Sequence, residues 1–212
     1  MQKNKFEIIA MPPENTVSVL VHNGTECVIF DAWGRAKDWQ KLLDERQLKL
    51  NAIYSTHGHP DHISAAPDLA RLYNVPWFLH QADWGLVGWG NDLLEYFGLP
   101  AINPDVAKPD YLDVNINKIL DDLDVQIIEM PGHTPGGVAY YFPSEKVLLI
   151  GDSIFQTSIG RYDLPGGSLP DLMKSIAKIY NMNLPESVQV IHGHGPATDI
   201  GFLCKNNTFF HK

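Results

Sequence analysis

Short apolar runs and isolated amphipathic segments alternate along the chain. Residues 16–21 alternate polar and apolar side chains, as a half-buried strand does, and the turn signal Asn23-Gly24 leads into a partner strand over 27–30. Helical spacing predicts helices over 38–48, 68–73 and 170–180. Further apolar runs predict strands at 52–55, 75–79, 125–129, 137–142, 147–150 and 188–191. Strand pairs interleaved with isolated helices indicate an α/β or α+β sandwich rather than a helical bundle.

Chain length bounds the number of domains. A length of 212 residues suits a single domain over 1–212 that buries a sizeable core. The segment 83–118 is the least regular part, and it concentrates aromatic side chains, among them Trp84, Trp89, Tyr96 and Phe97. Two interpretations of this segment stay open: it shapes a substrate pocket, or its rings fill the core.

Charge and composition narrow the classes of partner. The formal net charge of −9 disfavours a nucleic acid, because proteins that bind a phosphate backbone carry a basic face. Residues 1–15 lack the apolar run of a signal peptide, and no stretch approaches the roughly 20 apolar residues of a membrane span. We therefore expect a cytoplasmic protein without a membrane partner. Cys27 lies in an apolar run and is interpreted as a small buried side chain, and a disulfide with Cys204 is weakly supported.

Metal-ligand chemistry concentrates in the stretch THGHPDH, residues 56–62. In an extended turn alternate side chains point the same way, so His57 and His59 can share one ion, while Asp61 and His62 point to a neighbouring position. Imidazole with carboxylate suits zinc, iron or manganese better than calcium or magnesium. A polar loop that caps a helix is the ordinary alternative for any single one of these residues, but it does not account for all four together.

Later motifs place further donors just after predicted strands, each beside a glycine that permits close approach. They are His133 in PGHTPGG, Asp152 in LLIGDS and His194 in IHGHGPAT. A carboxylate at the end of an apolar strand is costly without a partner, which makes Asp152 the most informative of them. Each residue alone has an ordinary structural interpretation. Together with THGHPDH they predict a metal centre at the carboxyl ends of strands.

In order and spacing these motifs resemble the successive metal motifs of the metallo-β-lactamase superfamily, and the resemblance covers nearly the whole chain. It implies an αββα four-layer sandwich, in which two facing mixed sheets are flanked by helices and a pair of divalent transition-metal ions lies at one edge. Zinc is the first expectation, with iron and manganese as alternatives. The implied ligands are His57, His59 and His133 for the first ion, Asp61, His62 and His194 for the second, and Asp152 as the bridge between them.

The resemblance also implies roles around these ligands. His192 competes with His194 for the last ligand position, because IHGHG offers both, and the family pattern favours His194. Asp31 matches the family's first acidic motif and would orient a ligand, while a turn or cap role stays open. Asp61 and Asp152 would act directly in catalysis. No motif includes the remaining histidines, which are His22, His80 and His211.

The element GRYDLPGG, residues 160–167, resembles the corresponding element of small bacterial hydrolases related to glyoxalase II. The resemblance implies a metal-dependent hydrolase of acyl-thioesters, which cleaves a small molecule of the S-lactoylglutathione type with a hydroxide that bridges two metal ions. A thiolate leaves readily at neutral pH, so the reaction needs no strong general acid. Arg161 is a candidate substrate contact, and a structural ion pair with Asp163 is the alternative.

Other activities of the same fold stay open. A persulfide dioxygenase with a single iron ion is compatible with the motifs, since such relatives can retain the second ligand set, and a lactonase is compatible as well. A β-lactamase is disfavoured without a secretion signal. A non-catalytic metal-binding module is disfavoured because no ligand of the pattern is missing.

Overall fold

The computed structural model of the protein describes residues 4–11, 16–120 and 122–211. Backbone contacts separate this part of the chain into two compact units. The first extends to Leu112 and includes residues 120–123, and the second comprises residues 113–119 and the chain from Asp124 onwards. The prediction that residues 1–15 contain no signal peptide falls partly on residues 1–3 and 12–15, which lie outside the described residues.

The first unit is built on a six-stranded sheet. Its strands, in both chain and sheet order, are β1 (Lys5–Met11), β2 (Thr16–His22), β3 (Glu26–Phe30), β4 (Lys49–Tyr54), β5 (Trp77–Leu79) and β6 (Asp110–Tyr111). Its helices are α1 (Ala36–Arg46), α2 (Pro60–Ile63), α3 (Ala66–Tyr73), the 3-10 helix Gln81–Leu86 and α4 (Asn91–Tyr96). The pairs β1–β2 and β2–β3 are antiparallel, whereas β3 to β6 run parallel.

The hairpin predicted at Asn23-Gly24 is confirmed by the antiparallel pairing of β2 with β3. The prediction of a half-buried β2 is wrong, because all seven of its residues are buried. Ser18 is accommodated inside because its hydroxyl donates to the Asp31 carbonyl and accepts from the Trp33 N–H. The Ser18 hydroxyl of this strand is therefore satisfied by hydrogen bonds within the protein rather than by water.

The longer helices of the first unit bury one apolar face each. Trp39 and Leu43 of α1 and Leu69 of α3 are fully buried in one apolar cluster. The indole N–H of Trp39 donates to the Trp33 carbonyl (2.7 Å), so the buried ring keeps its polar atom paired. The structure confirms both helices to within two residues at each end. The shorter α2 and α4 escape prediction because a helix of one or two turns shows too little periodicity.

The second unit contains a five-stranded sheet. A short ribbon, β7 (Lys118–Ile119) and β8 (Leu123–Asp124), precedes it in the chain as a separate two-stranded sheet. The five strands are β9 (Gln126–Glu129), β10 (Val138–Phe142), β11 (Val147–Gly151), β12 (Gln189–His192) and β13 (Thr198–Asp199), in the sheet order β13-β12-β11-β10-β9. The helices of this unit are α5 (Leu169–Asn181) and α6 (Ile200–Asn206). The first of them buries Leu172, Ile176 and Ile179, as its predicted spacing requires.

Within the described ranges, no helix combines the length and the apolar character that a membrane crossing needs. Cys27 and Cys204 are both free thiols. Cys27 is buried, as predicted, and burial raises the pKa of its thiol to about 12.

Candidate metal centre

Parallel strands deliver the first group of predicted donors to one edge of the six-stranded sheet. β3 and β4 run parallel and end with Phe30 opposite Tyr54. Asp31 follows β3 directly, and the loop that carries THGHPDH follows β4. A hydrogen bond from the Asp31 N–H to the Tyr54 carbonyl (2.9 Å) extends the pairing to that edge. The carboxyl ends of neighbouring strands therefore bring both motifs to one place.

The imidazole rings of this loop are buried and packed on one another. The ring centroid of His57 lies 4.8 Å from that of His59 and 4.0 Å from that of His62. Nε2 of His62 lies 3.7 Å from Oδ2 of Asp61. Pro60 opens α2 directly after His59 and fixes the backbone φ there. Four donors thus share one short segment of the first unit.

Asp31 orients two of these rings through their Nδ1 atoms. One carboxylate oxygen accepts from the Thr56 N–H (2.7 Å), and the other accepts from the Thr56 hydroxyl (2.8 Å) and lies 3.0 Å from Nδ1 of His62. Because the Thr56 hydroxyl donates to the carboxylate, it accepts from Nδ1–H of His57 at 3.0 Å. Nδ1 of both histidines then carries the proton, and Nε2 keeps the lone pair that a metal ion requires.

Neither the Thr56 contact nor a second buried carboxylate, Asp83, has a predicted role. Asp83 lies in the 3-10 helix and is fully buried, and its Oδ2 accepts from the N–H of Gly58 (2.9 Å). Gly58 separates two of the histidines, and a Cβ there would lie 3.0 Å from the Asp83 carbonyl oxygen. The 3-10 helix therefore holds the histidine loop by its backbone. The short spacing in HQAD, residues 80–83, gives no signal of this contact.

In the second unit, three strands end at the same edge of the sheet. β11 and β12 run parallel, and β9 shares their direction because both β9 and β11 pair antiparallel with β10. His133 follows β9, Asp152 follows β11, and His194 follows β12. The topology itself therefore collects these three predicted donors.

Asp152 lies between two histidines. Its Oδ2 is 3.7 Å from Nε2 of His133 and 3.2 Å from Nε2 of His194. Nδ1 of His133 lies 2.6 Å from the Arg161 carbonyl oxygen. A carbonyl only accepts, so Nδ1 carries the proton and Nε2 keeps its lone pair on the side of Asp152. A carboxylate oxygen close to two such nitrogens has the geometry of a bridging metal ligand.

Of the two histidines in IHGHG, the structure sets His194 beside the carboxylate. His192 is 3% exposed, and its ring packs edge-on against Phe155 with centroids 5.5 Å apart. Burial lowers the pKa of His192, which favours its neutral form. His192 thus has the surroundings of a core histidine.

The histidines outside every motif have ordinary surroundings. Nε2 of His22 lies 2.7 Å from a carboxylate oxygen of Glu7, and Nδ1 of His80 accepts from the Ala82 N–H (3.3 Å) at the start of the 3-10 helix. His211 is exposed.

The element GRYDLPGG contacts this site through its backbone. Gly160 packs so tightly that a Cβ would lie 1.7 Å from the Asp152 carbonyl oxygen and 3.1 Å from Nδ1 of His133. The Arg161 guanidinium makes a two-pronged contact with the Asp163 carboxylate, with both N–O distances at 2.9 Å. These hydrogen bonds raise the pKa of Arg161 and lower that of Asp163. Both side chains are more than 60% exposed, so the pair is a surface contact rather than a buried one.

The last helix is tied to the same region. The carboxamide of Asn207 is buried and donates to the carbonyl oxygens of Phe155 (2.7 Å) and Ser158 (3.0 Å). The side chain at the end of α6 therefore fixes the turn that leads from Asp152 to Gly160.

We expect Gly160→Ala to lower the free energy of unfolding by about 3 kcal/mol, because the added methyl group overlaps the Asp152 backbone. Urea denaturation monitored by circular dichroism measures the change. Gly85→Ala is the matched control, since a Cβ at Gly85 meets no atom within 4 Å. Equal stability of the two variants would contradict the close approach at Gly160.

Each unit by itself offers the donor chemistry of a transition-metal site. The first supplies imidazole nitrogens and the Asp61 carboxylate, and the second supplies two imidazole nitrogens and the Asp152 carboxylate. The Nδ1 partners of His57, His62 and His133 fix the ring tautomer that presents Nε2. The residues therefore fit divalent transition-metal ions, and they do not by themselves distinguish zinc from iron.

Comparison with known proteins identifies the class. Residues 11–194 match the family model described as the metallo-beta-lactamase superfamily. The chain belongs to this superfamily, and the predicted family and α/β fold class are confirmed. A relative from Haemophilus influenzae, the hydroxyacylglutathione hydrolase GloC, is 32% identical over 200 residues and matches 92% of each chain.

Solved structures agree on the fold. The protein described as BLEG-1 B3 metallo-beta-lactamase superposes with a TM-score of 0.85 at 36% identity, over 98% of this chain and 100% of that one. The protein TTHA1623, in a di-iron-bound form, superposes with a TM-score of 0.83 at 30% identity, over 96% and 99% of the two chains. Membership in this superfamily supports a metal-dependent hydrolase, and the relatives differ in the activity that their names give.

Proposed function

We propose that the protein is a dinuclear metal-dependent hydrolase of acyl-thioesters, of the glyoxalase II type. Its substrate is a small thioester such as S-lactoylglutathione, and its products are a hydroxy acid and a thiol. The proposal takes the full chain as one functional domain that acts in the cytoplasm, with no nucleic-acid or membrane partner.

One observation carries the dinuclear part of the proposal. Oδ2 of Asp152 lies within 4 Å of Nε2 of both His133 and His194, as expected for a carboxylate shared by two ions. In the proposal these two histidines belong to different ions. His57 and His59 complete the first ligand set, and Asp61 and His62 complete the second.

The ions would supply Lewis acidity: when bound, they lower the pKa of a water molecule towards 7 and polarise the substrate carbonyl. The chain's own residues provide the geometry for this chemistry. Asp31 and Thr56 hold the protons on Nδ1 of His57 and His62, and the Arg161 carbonyl holds the proton on Nδ1 of His133. The ring tautomers are thereby set before any ion or substrate arrives, so no proton has to move on these rings during the reaction.

A thioester suits this set of residues better than an amide does. A thiolate departs without a proton at neutral pH, so no side chain has to act as a strong acid towards the leaving group. The similarity to the relative named hydroxyacylglutathione hydrolase, over 92% of each chain, supports the same bond type. Arg161 stays a candidate substrate contact in this proposal, and the ion pair of its exposed guanidinium with Asp163 is the structural alternative.

Metal analysis and substrate hydrolysis test the proposal together. Protein reconstituted separately with zinc, iron and manganese should retain close to two ions per chain after removal of excess metal. With its preferred ion it should hydrolyse S-lactoylglutathione faster than the matching oxygen ester, because an alkoxide leaves less readily than a thiolate. Hydrolysis of the oxygen ester at an equal or higher rate would overturn the thioesterase assignment.

The same reconstituted samples decide between the rival activities. Oxygen uptake with glutathione persulfide, in a sample with one iron per chain, would replace the proposal by the dioxygenase alternative. Selective hydrolysis of a homoserine lactone would replace it by a lactonase. Selective cleavage of a β-lactam would match instead the activity that the name of BLEG-1 gives.

A further inference from the structure

Trp89 lies against one of the predicted ligands in the first unit. Its ring centroid is 5.3 Å from that of His59, at an interplanar angle of 38°. His59 is 4% exposed, whereas Trp89 is 37% exposed. One part of the indole surface therefore packs on the His59 ring, and another part is open to a further molecule.

Two glycines fix the backbone on either side of this indole. Gly88 and Gly90 both have left-handed backbone conformations, with φ of 86° and 75°. A Cβ at Gly88 would lie 3.0 Å from Cδ of Pro104, and one at Gly90 would lie 2.9 Å from Cγ of Pro60. The sequence Gly88-Trp89-Gly90 is thus held between two prolines, and the second proline belongs to the histidine loop.

Hydrogen bonds complete the support of this segment. The backbone N–H of Trp89 donates to the Leu86 carbonyl (2.8 Å). The side chain of Asn91 donates to the Ile102 carbonyl and accepts from the Ile102 N–H, both at 2.9 Å. A large ring on a backbone secured at three points is a preorganised contact surface, because little conformational entropy is lost when a ligand binds it.

The stretch of sequence around Trp89, from Leu72 to Ala107, carries no lysine or arginine. Arg35 reaches this segment from elsewhere in the unit, and its guanidinium donates to the Gly98 carbonyl (3.0 Å) beyond α4. An anionic carrier group has little to recognise here, whereas an uncharged apolar group has an open indole face.

We propose that Trp89 is a specificity-determining residue that contacts the acyl chain of the substrate and raises kcat/KM for aromatic acyl groups relative to acetyl, in addition to the small thioesters of the proposed function. This inference rests on the proposed thioesterase function and names the substrate class of that site. The indole packs against the flat face of the acyl chain, while the reacting carbonyl lies on the side of His59.

A pair of thioesters that share one thiol, S-acetyl and S-phenylacetyl, tests the inference on the metal-loaded enzyme. Trp89→Ala should reduce kcat/KM for the phenylacetyl substrate about tenfold, through a higher KM, and leave the acetyl substrate nearly unchanged. Trp89→Phe should retain most of the preference, because it keeps an aromatic face. Trp84→Ala is the matched control: Trp84 is 38% exposed in the same segment, and its removal should leave the ratio of the two rates unchanged.

A binding measurement makes the result independent of turnover. Phenylacetate should change the tryptophan fluorescence of the metal-loaded wild type and of Trp84→Phe, but not that of Trp89→Phe. Equal losses on both thioesters in Trp89→Ala, or an undiminished fluorescence response in Trp89→Phe, would overturn the inference. If the wild type hydrolyses neither thioester, the proposed function fails, and the fluorescence titration alone decides the role of Trp89.

Discussion

Asp152→Ala should lower kcat/KM for the thioester by about a thousandfold. The variant loses Lewis-acid activation worth several kcal/mol, and each loss of about 1.4 kcal/mol slows the reaction tenfold. The bound metal should fall from near two ions per chain to one or fewer, because Oδ2 of Asp152 adjoins the Nε2 atoms of two histidines. Elemental analysis and steady-state kinetics on the same preparation measure both quantities.

Glu186→Gln provides the matched control for this experiment. Glu186 belongs to the same unit and is 74% exposed, and its surface ion pair with Lys205 is worth about 1 kcal/mol at most. It should keep the metal content and rate of the wild type. A folded Asp152→Ala protein with full metal and full rate would show that the bridging assignment is wrong.

Asp31→Asn should weaken metal binding and lower kcat/KM by about 10–100-fold, the usual cost of losing a residue that orients ligands. The carboxylate accepts two hydrogen bonds from Thr56 and lies 3.0 Å from Nδ1 of His62, and an amide has only one oxygen to replace its two. Asparagine is the suitable replacement because Asp31 has a φ of 53°, which asparagine tolerates better than alanine. Titration with Co²⁺, followed by its visible absorption, reports the affinity without turnover.

Thr56→Val separates the two branches of this contact. It removes the hydroxyl between His57 and Asp31 but leaves the contact between Asp31 and His62. The Co²⁺ titration should then show one weakened site, whereas Asp31→Asn should weaken both. Identical titrations for Thr56→Val and the wild type would contradict the relay through the hydroxyl.

The places of the predicted donors in the fold follow from the strand pattern, because each donor comes after an apolar strand. β3, β4, β9, β11 and β12 were all predictable from short apolar runs, and the carboxyl ends of parallel strands meet at one edge. The choice of His194 over His192 came from the motif rather than from periodicity. In the structure Nε2 of His194 lies 3.2 Å from Oδ2 of Asp152, and its role as a ligand stays a prediction.

The contacts that orient the donors are less accessible to sequence reasoning. Asp83 acts on the backbone N–H of Gly58, and Arg161 acts through its carbonyl oxygen. A main-chain partner can have almost any side chain, so residue types carry no signal of it. The same limit explains the wrong prediction of a half-buried β2. The alternation indicates a polar face, but it does not tell whether water or protein contacts that face.

The irregular segment 83–118 lies partly in the core and partly at the surface. Leu94, Leu99 and Ile102 are buried in the core of the first unit, whereas Trp84, Trp89 and Tyr96 keep at least a third of their surface exposed. Periodicity cannot separate these groups, because glycines and prolines interrupt the segment wherever the chain changes direction.

The carboxylate of Asp31 serves two rings at once, His62 directly and His57 through Thr56. Under the proposed ligand sets these rings belong to different ions, so occupancy of one position would order a group that the other also uses. Such shared ordering gives a favourable, negative coupling free energy between the two positions, and the coupling is reciprocal. Loading with metal should therefore be cooperative, with half-filled molecules scarcer than independent binding would give.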